Sequence, residues 1–456
     1  MQIEHMEERS VWSPDSWRSR PILQQPDYAN PAALEQVLAE LRLLPPLVTS
    51  WEVVMLRSQL AEAAAGSRFV LQGGDCAERF ADCQSPRIAN TLKVLLQMSL
   101  VLVMGSQKPV IRIGRFAGQY AKPRSAPDET RNGLTLPSYR GDLVNRPEFT
   151  AAAREPDPQL LLRGYERAAL TLNFIRSLVK GGFADLHHPE YFDLDWLGES
   201  PQSHEYHRMV ENISDSLRFM ENVLGVRAGE TDRIDFFTAH EALHLGYESA
   251  QTRKTPRRTG WYNLATHFPW VGLRTNDPDG AHIEYLRGIE NPVGVKVGAG
   301  AKRDTVARWI EALDPSRMPG RLTLIHRFGV GRIADELPKL IEHVRSEGAA
   351  PVWICDPMHG NTQVAGGLKT RHFDDIYSEV EQAFDIHRGC GGKLGGVHIE
   401  LTGENVTECI GGSSGPGVED LARAYETEVD PRLNYEQALE LAFLIARKMK
   451  NGKSKG

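Results

Sequence analysis

The feature that most narrows the possible folds of this chain is an alternation. Eight short β-prone runs are Phe69–Leu71, Val110–Ile113, Ile234–Thr238, Trp261–Thr266, Pro292–Val297, Leu322–Ile325, Val352–Cys355 and Gly396–Leu401. Helical patterns lie between most of them, for example Thr305–Leu313 and Arg332–Ser346. A short apolar run bounded by Pro and Gly, such as the one after Pro351, reads as a fully buried strand. Eight strand–helix units predict the α/β class and a (β/α)8 TIM barrel. A doubly wound open sheet is the competing arrangement.

A length of 456 residues would by itself suggest two or three domains, but one barrel with insertions can exceed 400. Residues 1–66 are expected to be an N-terminal arm with helices, over Ala32–Leu44 and over 51–66, able to cover a barrel end or meet another subunit. Residues 67–456 are expected to form the barrel, with a helical insertion at about 159–225 that includes Arg208–Leu224. The polar stretch Phe116–Pro158 is expected to lack secondary structure, and its Lys and Arg content favours a binding loop. The last helix is placed at Asn434–Lys448, before a basic tail.

Composition removes several classes. With 41% hydrophobic and 25% charged residues the chain is an ordinary soluble globular protein. Its net charge of −7 argues against nucleic acid or an anionic membrane as partner. There is no run of about 18 apolar residues, and the first thirty residues are polar and acidic, which argues against a membrane span and a signal peptide. Five cysteines, Cys76, Cys83, Cys355, Cys390 and Cys409, make no disulfide framework and point to a reducing, cytoplasmic setting.

In a barrel the strand ends share one rim, where catalytic groups collect. Read from the sequence, those ends carry Asp75-Cys76, Arg115, His240-Glu241, His267 followed by Arg274, Lys296, Arg327, Asp356 with His359, and Glu400. One subset is cationic: Arg115, Arg274, Lys296 and Arg327, joined by Lys122 and Arg124 from the long loop. Fixed cations in one pocket require anionic partners, and guanidinium groups match phosphate and carboxylate oxygens. The other subset is Cys76, His359 and Glu400, with Asp430 as a late candidate. One thiolate, one imidazole and two carboxylates suit a divalent transition ion such as Mn, Fe, Co or Zn, and do not choose among them. From spacing alone, a lone Cys and a lone His are more often structural than metal-ligating, and Asp356 has no assignment. Gly411–Gly417 lacks the Gly-Lys-Ser/Thr of a P-loop, and Ser138 and Ser414 have no His and acid arrangement around them.

Longer motifs carry a resemblance. Gln72-Gly-Gly-Asp-Cys-Ala-Glu78, Gly118-Gln-Tyr-Ala-Lys-Pro-Arg-Ser125, Leu136-Pro-Ser-Tyr-Arg-Gly-Asp142, Asp356-Pro-Met-His-Gly-Asn-Thr362, Lys369-Thr-Arg371 and Gly403-Glu-Asn-Val-Thr-Glu-Cys409 closely resemble type II 3-deoxy-D-arabino-heptulosonate 7-phosphate (DAHP) synthases. The likeness runs from Trp12 to Asn434. It implies a (β/α)8 barrel that condenses phosphoenolpyruvate with erythrose 4-phosphate, the first step toward chorismate. It puts Cys76, His359, Glu400 and Asp430 at the metal-ligand positions, and Arg115, Arg274, Lys296 and Arg327 at those that hold phosphoenolpyruvate. Lys122, Arg124 and Ser125 match the loop for the aldose phosphate, with Lys122 a proton donor to the forming alkoxide. The implied cofactor is a divalent metal, manganese first, with cobalt, iron, zinc or cadmium as alternatives. Homo-oligomers, an aromatic amino-acid effector and a chorismate mutase partner are also implied. Departures from the family pattern are Leu273, the run His326-Arg-Phe-Gly329 and the run Gly298-Ala-Gly-Ala-Lys302. They leave two other readings open: a secondary-metabolism paralogue using an amino-sugar phosphate, and a catalytically silent metabolite-binding protein.

Overall fold

The computed structural model describes residues 12–181, 204–208, 211, 235–413 and 415–451. Eight parallel strands close into a barrel: β1 (Phe69–Gly74), β2 (Val110–Arg115), β3 (Phe236–Glu241), β4 (Phe268–Val271), β5 (Val293–Val297), β6 (Leu322–His326), β7 (Val352–Cys355) and β8 (Gly396–Glu400). Each pairs with its sequence neighbours, and β8 closes on β1. Closure leaves no exposed strand edge, and the open-sheet alternative is set aside.

Among the described residues, ten α-helices are six residues or longer: α1 (Pro31–Leu43), α2 (Ser50–Ala64), α3 (Ser85–Ser106), α4 (Gln159–Lys180), α5 (Leu245–Ala250), α6 (Ala281–Arg287), α7 (Arg303–Leu313), α8 (Ile333–Ser346), α9 (Phe373–Gly389) and α10 (Tyr435–Asn451). The hydrophobic interior divides by face. Val70, Ile111, Ile113, Phe237, Ala239, Phe268, Ile325, Val352 and Ile354 fill the lumen, and Leu56, Leu60 and Ala63 of α2 pack with them, plugging the base. α2 starts sharply because Thr49 and Glu52 form a capping box at its N-terminus. The opposite face of the strands, with Leu71, Val295, Leu324 and Val397, packs against the surrounding helices. Among the described residues α3 is the helix long and apolar enough to cross a membrane, yet Leu92, Leu95, Met98 and Leu102 are buried and the helix packs against α10, β1 and β2.

Three expectations are corrected. Trp261–Thr266 is not a barrel strand: Tyr262–Asn263 pairs antiparallel with Thr252–Arg253, and Phe268–Val271 takes the fourth place in the barrel. Both stretches are β-prone and adjacent, so propensity alone does not choose between them. His267 therefore precedes its strand, and lies toward the base. Its Nδ1 accepts from the Thr238 N–H at 2.9 Å and its Nε2 stands 3.8 Å from Glu52 of α2. The long segment between β2 and α4 does contain structure, a hairpin of Asp128–Arg131 with Leu134–Pro137 and a short helix Ala151–Arg154. Its turn is Asn132-Gly133, both at positive φ (50° and 79°), the local signal for a two-residue hairpin loop. Most of the expected helix Arg208–Leu224, together with Ile234 and Ser414, falls outside the described residues.

Candidate active site

Side chains alternate across a strand, so two residues beyond a lumen-facing position the chain faces the lumen again. Two residues past Ile113, Ala239, Ile325 and Ile354, all lumen residues, stand Arg115, Glu241, Arg327 and Asp356. Lys296 of β5 and Glu400 of β8 also turn inward, the latter meeting Arg115 at 3.2 Å. On these four strands the wall thus changes from aliphatic to ionic within one residue pair. A cavity of about 430 Å³ opens there, lined among others by Cys76, Arg115, Lys122, Glu241, Arg274, Lys296, Arg327, His359 and Asp430.

Its floor is the Trp270 ring, with the Arg115 guanidinium 5.5 Å and the Lys296 ammonium 5.1 Å from the ring centroid. Arg115 is further held by the Cys76 carbonyl at 3.0 Å and His398 Nε2 at 2.5 Å. Arg327 donates to the His359 carbonyl at 2.7 Å. Lys296 ion-pairs with Asp356. Burial, together with the nearby Arg115, pulls the Lys296 ammonium down to about 8 despite Asp356 beside it.

The second subset also comes together. Donor atoms of Cys76, His359, Glu400 and Asp430 all lie within 4.8 Å of one another. Four donors bound at ~2.1–2.3 Å around one ion stand within roughly 4.6 Å of each other, so the set fits a single divalent ion. His359 Nδ1 is held by the Asp356 carboxylate at 2.7 Å, which turns Nε2 toward Glu400 Oε1, 2.9 Å away. That carboxylate–imidazole arrangement is how proteins orient a ligating histidine. Glu400 Oε2 is fixed by Arg371 at 2.8 Å, while the buried Oε1 makes no well-aligned hydrogen bond and faces the Arg115 guanidinium and His359 Nε2, which leaves it open to a ligand bond. Burial lowers the basicity of His359 against the pull of Asp356 and Glu400, which keeps the ring in its neutral, metal-binding form. Despite burial, His359, Arg371 and Arg115 hold Glu400 well below the usual carboxylate range. Burial and the Glu400 charge push the Cys76 thiol up; a bound cation would reverse this and deprotonate it.

Lys122 bridges the two subsets. Its Nζ lies 2.7 Å from Asp430 Oδ2 and also contacts Cys76 Sγ. Burial works against its charge, but Asp430, Cys76 and Glu400 outweigh it and raise the ammonium above its ordinary range. Ser125 sits at the rim and accepts from Arg274 at 2.5 Å. Arg124 is not part of the cavity wall. Its backbone is clamped by Gln24 of the N-terminal arm, with Arg124 N–H to Oε1 at 2.9 Å and Nε2 to the Arg124 carbonyl at 3.1 Å. His240, expected on the rim, faces outward and pairs with Glu248 at 2.8 Å.

Three residues that shape the site were given no role from the sequence. Asp356 positions both His359 and Lys296. Arg371 orients Glu400. Glu241 presents a buried Oε1 without a partner to the cavity, its carboxyl raised by burial against Lys122, Lys296 and Arg115. Inward parity beyond Ala239 was the available signal for Glu241. Leu273, 38% exposed, and the Gly298–Lys302 loop line a second space of about 600 Å³ that shares Leu273, Arg327 and His359 with the first.

A closed parallel barrel with a thiol, imidazole and carboxylate set beside a ring of cations at its C-terminal mouth defines a metal-assisted enzyme for anionic substrates. The sequence model of the class-II DAHP synthetase family matches residues 12–446, and the chain belongs to that family. It is 48% identical over 433 residues to the phospho-2-dehydro-3-deoxyheptonate aldolase of Streptomyces coelicolor, covering 95% of this chain and 96% of the relative. It is 47% identical over 452 residues to the protein of the same name in Neurospora crassa, covering 95% and 94%.

Proposed function

We propose that this chain condenses phosphoenolpyruvate with erythrose 4-phosphate and water to give DAHP and phosphate, the first step toward chorismate. The observation that carries this reading is one cavity in which a metal-type donor set and the cations Arg115, Lys296, Arg327 and Arg274 face each other. Phosphoenolpyruvate brings a phosphate and a carboxylate, and Arg115, Lys296 and Arg327 supply matching charge deep in the barrel. Arg274 and Ser125 at the rim, with Arg124 on the clamped loop, hold the phosphate of the aldose. Cys76, His359, Glu400 and Asp430 would hold the divalent ion, for which we favour manganese. Bound there, such an ion supplies Lewis acidity toward an aldehyde oxygen.

The protein's own groups account for the rest. C3 of phosphoenolpyruvate forms a bond to the aldehyde carbon while positive charge develops at C2. The Lys122 ammonium gives a proton to the new alkoxide. Glu241 holds a water at C2 and takes its proton; the C2–O bond to phosphate then breaks, releasing inorganic phosphate. Excluding bulk water from the buried part of the cavity strengthens each of these charge interactions.

Incubating manganese-loaded protein with phosphoenolpyruvate and erythrose 4-phosphate should consume the enolpyruvate absorbance with release of one phosphate per turnover. Consumption only with an amino-sugar phosphate, or none with any aldose, would overturn the assignment; both relatives favour the first outcome. A homo-oligomer fits exposed apolar side chains on the N-terminal helices, Leu43 and Trp51, and is checked by light scattering. Five free thiols fit a cytoplasmic enzyme.

A further inference from the structure

On the other side of the same barrel wall lies a second group of donor side chains. His326 ends β6 and Cys355 ends β7, and they are paired residues in the parallel ladder. Paired residues on adjacent strands face the same way. Here that is outward, since Ile325 and Ile354 beside them fill the lumen. α9 adds Glu379 and His387. Donor atoms of His326, Cys355 and Glu379 lie within 4.8 Å of one another, as those of the mouth set do. All four residues are at most 1% exposed.

Hydrogen bonding does not account for this cluster. Both ring nitrogens of His326 and both of His387 are buried without a partner. A polar group left buried and unpaired destabilises the fold. The His326 ring lies parallel to Phe328, centroids 5.7 Å apart at 15°, so its nitrogens are free at the ring edge. The His387 ring is 5.7 Å from His326 at 40°. Two imidazoles on one tetrahedral ion, with bonds of ~2.1 Å, put their centroids roughly 5 Å apart. Glu379 is partly engaged: Oε1 accepts from the N–H groups of Phe328 and Gly329, both at 3.0 Å, and Oε2 from Asn361 at 2.7 Å. A carboxylate offers about four lone-pair directions, so Oε2 retains one for a ligand bond.

We propose that His326, Cys355 and Glu379, with His387 as the fourth donor, form a second metal site for a thiolate-binding divalent ion of the zinc class. Thiolate and imidazole donors select such an ion over magnesium or calcium. A closed protein set with no open position makes the site structural, not catalytic. Binding displaces the Cys355 thiol proton to solvent and replaces it with a metal–sulfur bond. The ion ties the ends of β6 and β7 to α9. Since Glu379 also caps the Phe328–Gly329 turn and Asn361, the site braces the loops that carry Arg327 and His359. The inference does not depend on the reaction assigned above.

Cobalt(II) tests it, because thiolate–cobalt bonds give a near-ultraviolet charge-transfer band. Full-length protein from cobalt-supplemented cultures should carry two ions per chain by elemental analysis. Cys76→Ser removes the only thiolate of the mouth site, so the band it retains must come from Cys355; it should vanish in the Cys76→Ser/Cys355→Ser protein. A Cys76→Ser protein with no thiolate–cobalt band overturns the proposal. His326→Leu should lower the cobalt content from two ions to one; a folded His326→Leu protein that still binds two overturns it equally. Should His326→Leu fail to fold, the Cys76→Ser spectrum decides.

Discussion

The two donor clusters invite comparison, because nearly the same side-chain types sit on opposite faces of one wall. Cys355 faces out and Asp356, the next residue, faces in. Inside, His359, Arg371 and Arg115 hold Glu400 ionised despite complete burial, and the set opens onto a cavity of about 430 Å³. Outside, burial pushes Glu379 up to about 7 with only backbone and amide N–H groups opposing it, and Phe328 and Trp353 close around the imidazoles. Donor type does not separate a reaction centre from a brace. Neighbouring charge and access do.

The largest expected contrast lies between the two histidines. Lewis-acid stabilisation supplies several kcal/mol, so His359→Ala should lower turnover by roughly 10³-fold. His326→Leu should lower it by less than about tenfold, because no reacting group is lost and only the bracing loosens. Equal collapse in the enolpyruvate absorbance assay would break the comparison. Next in size is Lys122→Met. Loss of a positioned proton donor costs about 10²–10⁴ in turnover, and elemental analysis should find the mouth metal retained. Unchanged turnover would remove Lys122 from the role.

Asp356→Asn sharpens the contrast from within the mouth. It keeps the shape but weakens the grip on His359 Nδ1, and metal affinity should fall about 10–100-fold by competition with a chelating dye. It also leaves Lys296 buried beside a neutral amide, so the thermal midpoint should drop, breaking such a pair being worth roughly 3–5 kcal/mol. The smallest effect is in pH. With Lys296 lowered to about 8, its charge is present below that pH and lost above it. KM for phosphoenolpyruvate should therefore rise toward tenfold per pH unit above 8, as expected for one ionisation. Lys296→Arg, charged throughout, should flatten that limb even at reduced activity. A limb that persists in Lys296→Arg assigns it to another group.

Much of the barrel was legible in the order of residues. Strand runs such as Val352–Cys355 are apolar because both faces are covered, and helices such as Thr305–Leu313, seen as Arg303–Leu313, show their own period. The fourth strand was misplaced because Trp261-Tyr-Asn-Leu264 is as β-prone as Phe268-Pro-Trp-Val271, and only pairing with β3 and β5 distinguishes them. The hairpin at Asn132-Gly133 carried a local signal that the polar surroundings masked. Asp356 meets Lys296, 60 residues away, and Arg371 meets Glu400, 29 residues away, pairings that only the fold creates.

By itself the sequence determined which chemistry gathers near the strand ends: apolar runs stop at Cys76, Arg115, Lys296, His359 and Glu400, and local composition is enough to place those stops. The tertiary structure alone decided which face each residue serves. Strand side chains alternate with period two, so a shift of one residue exchanges lumen for outer wall. Nothing local distinguishes His326 from Arg327 or Cys355 from Asp356 in that respect. Barrel closure sets the register, and with it the donors that share a cavity with Arg115, Lys296 and Arg327 and those sealed behind them.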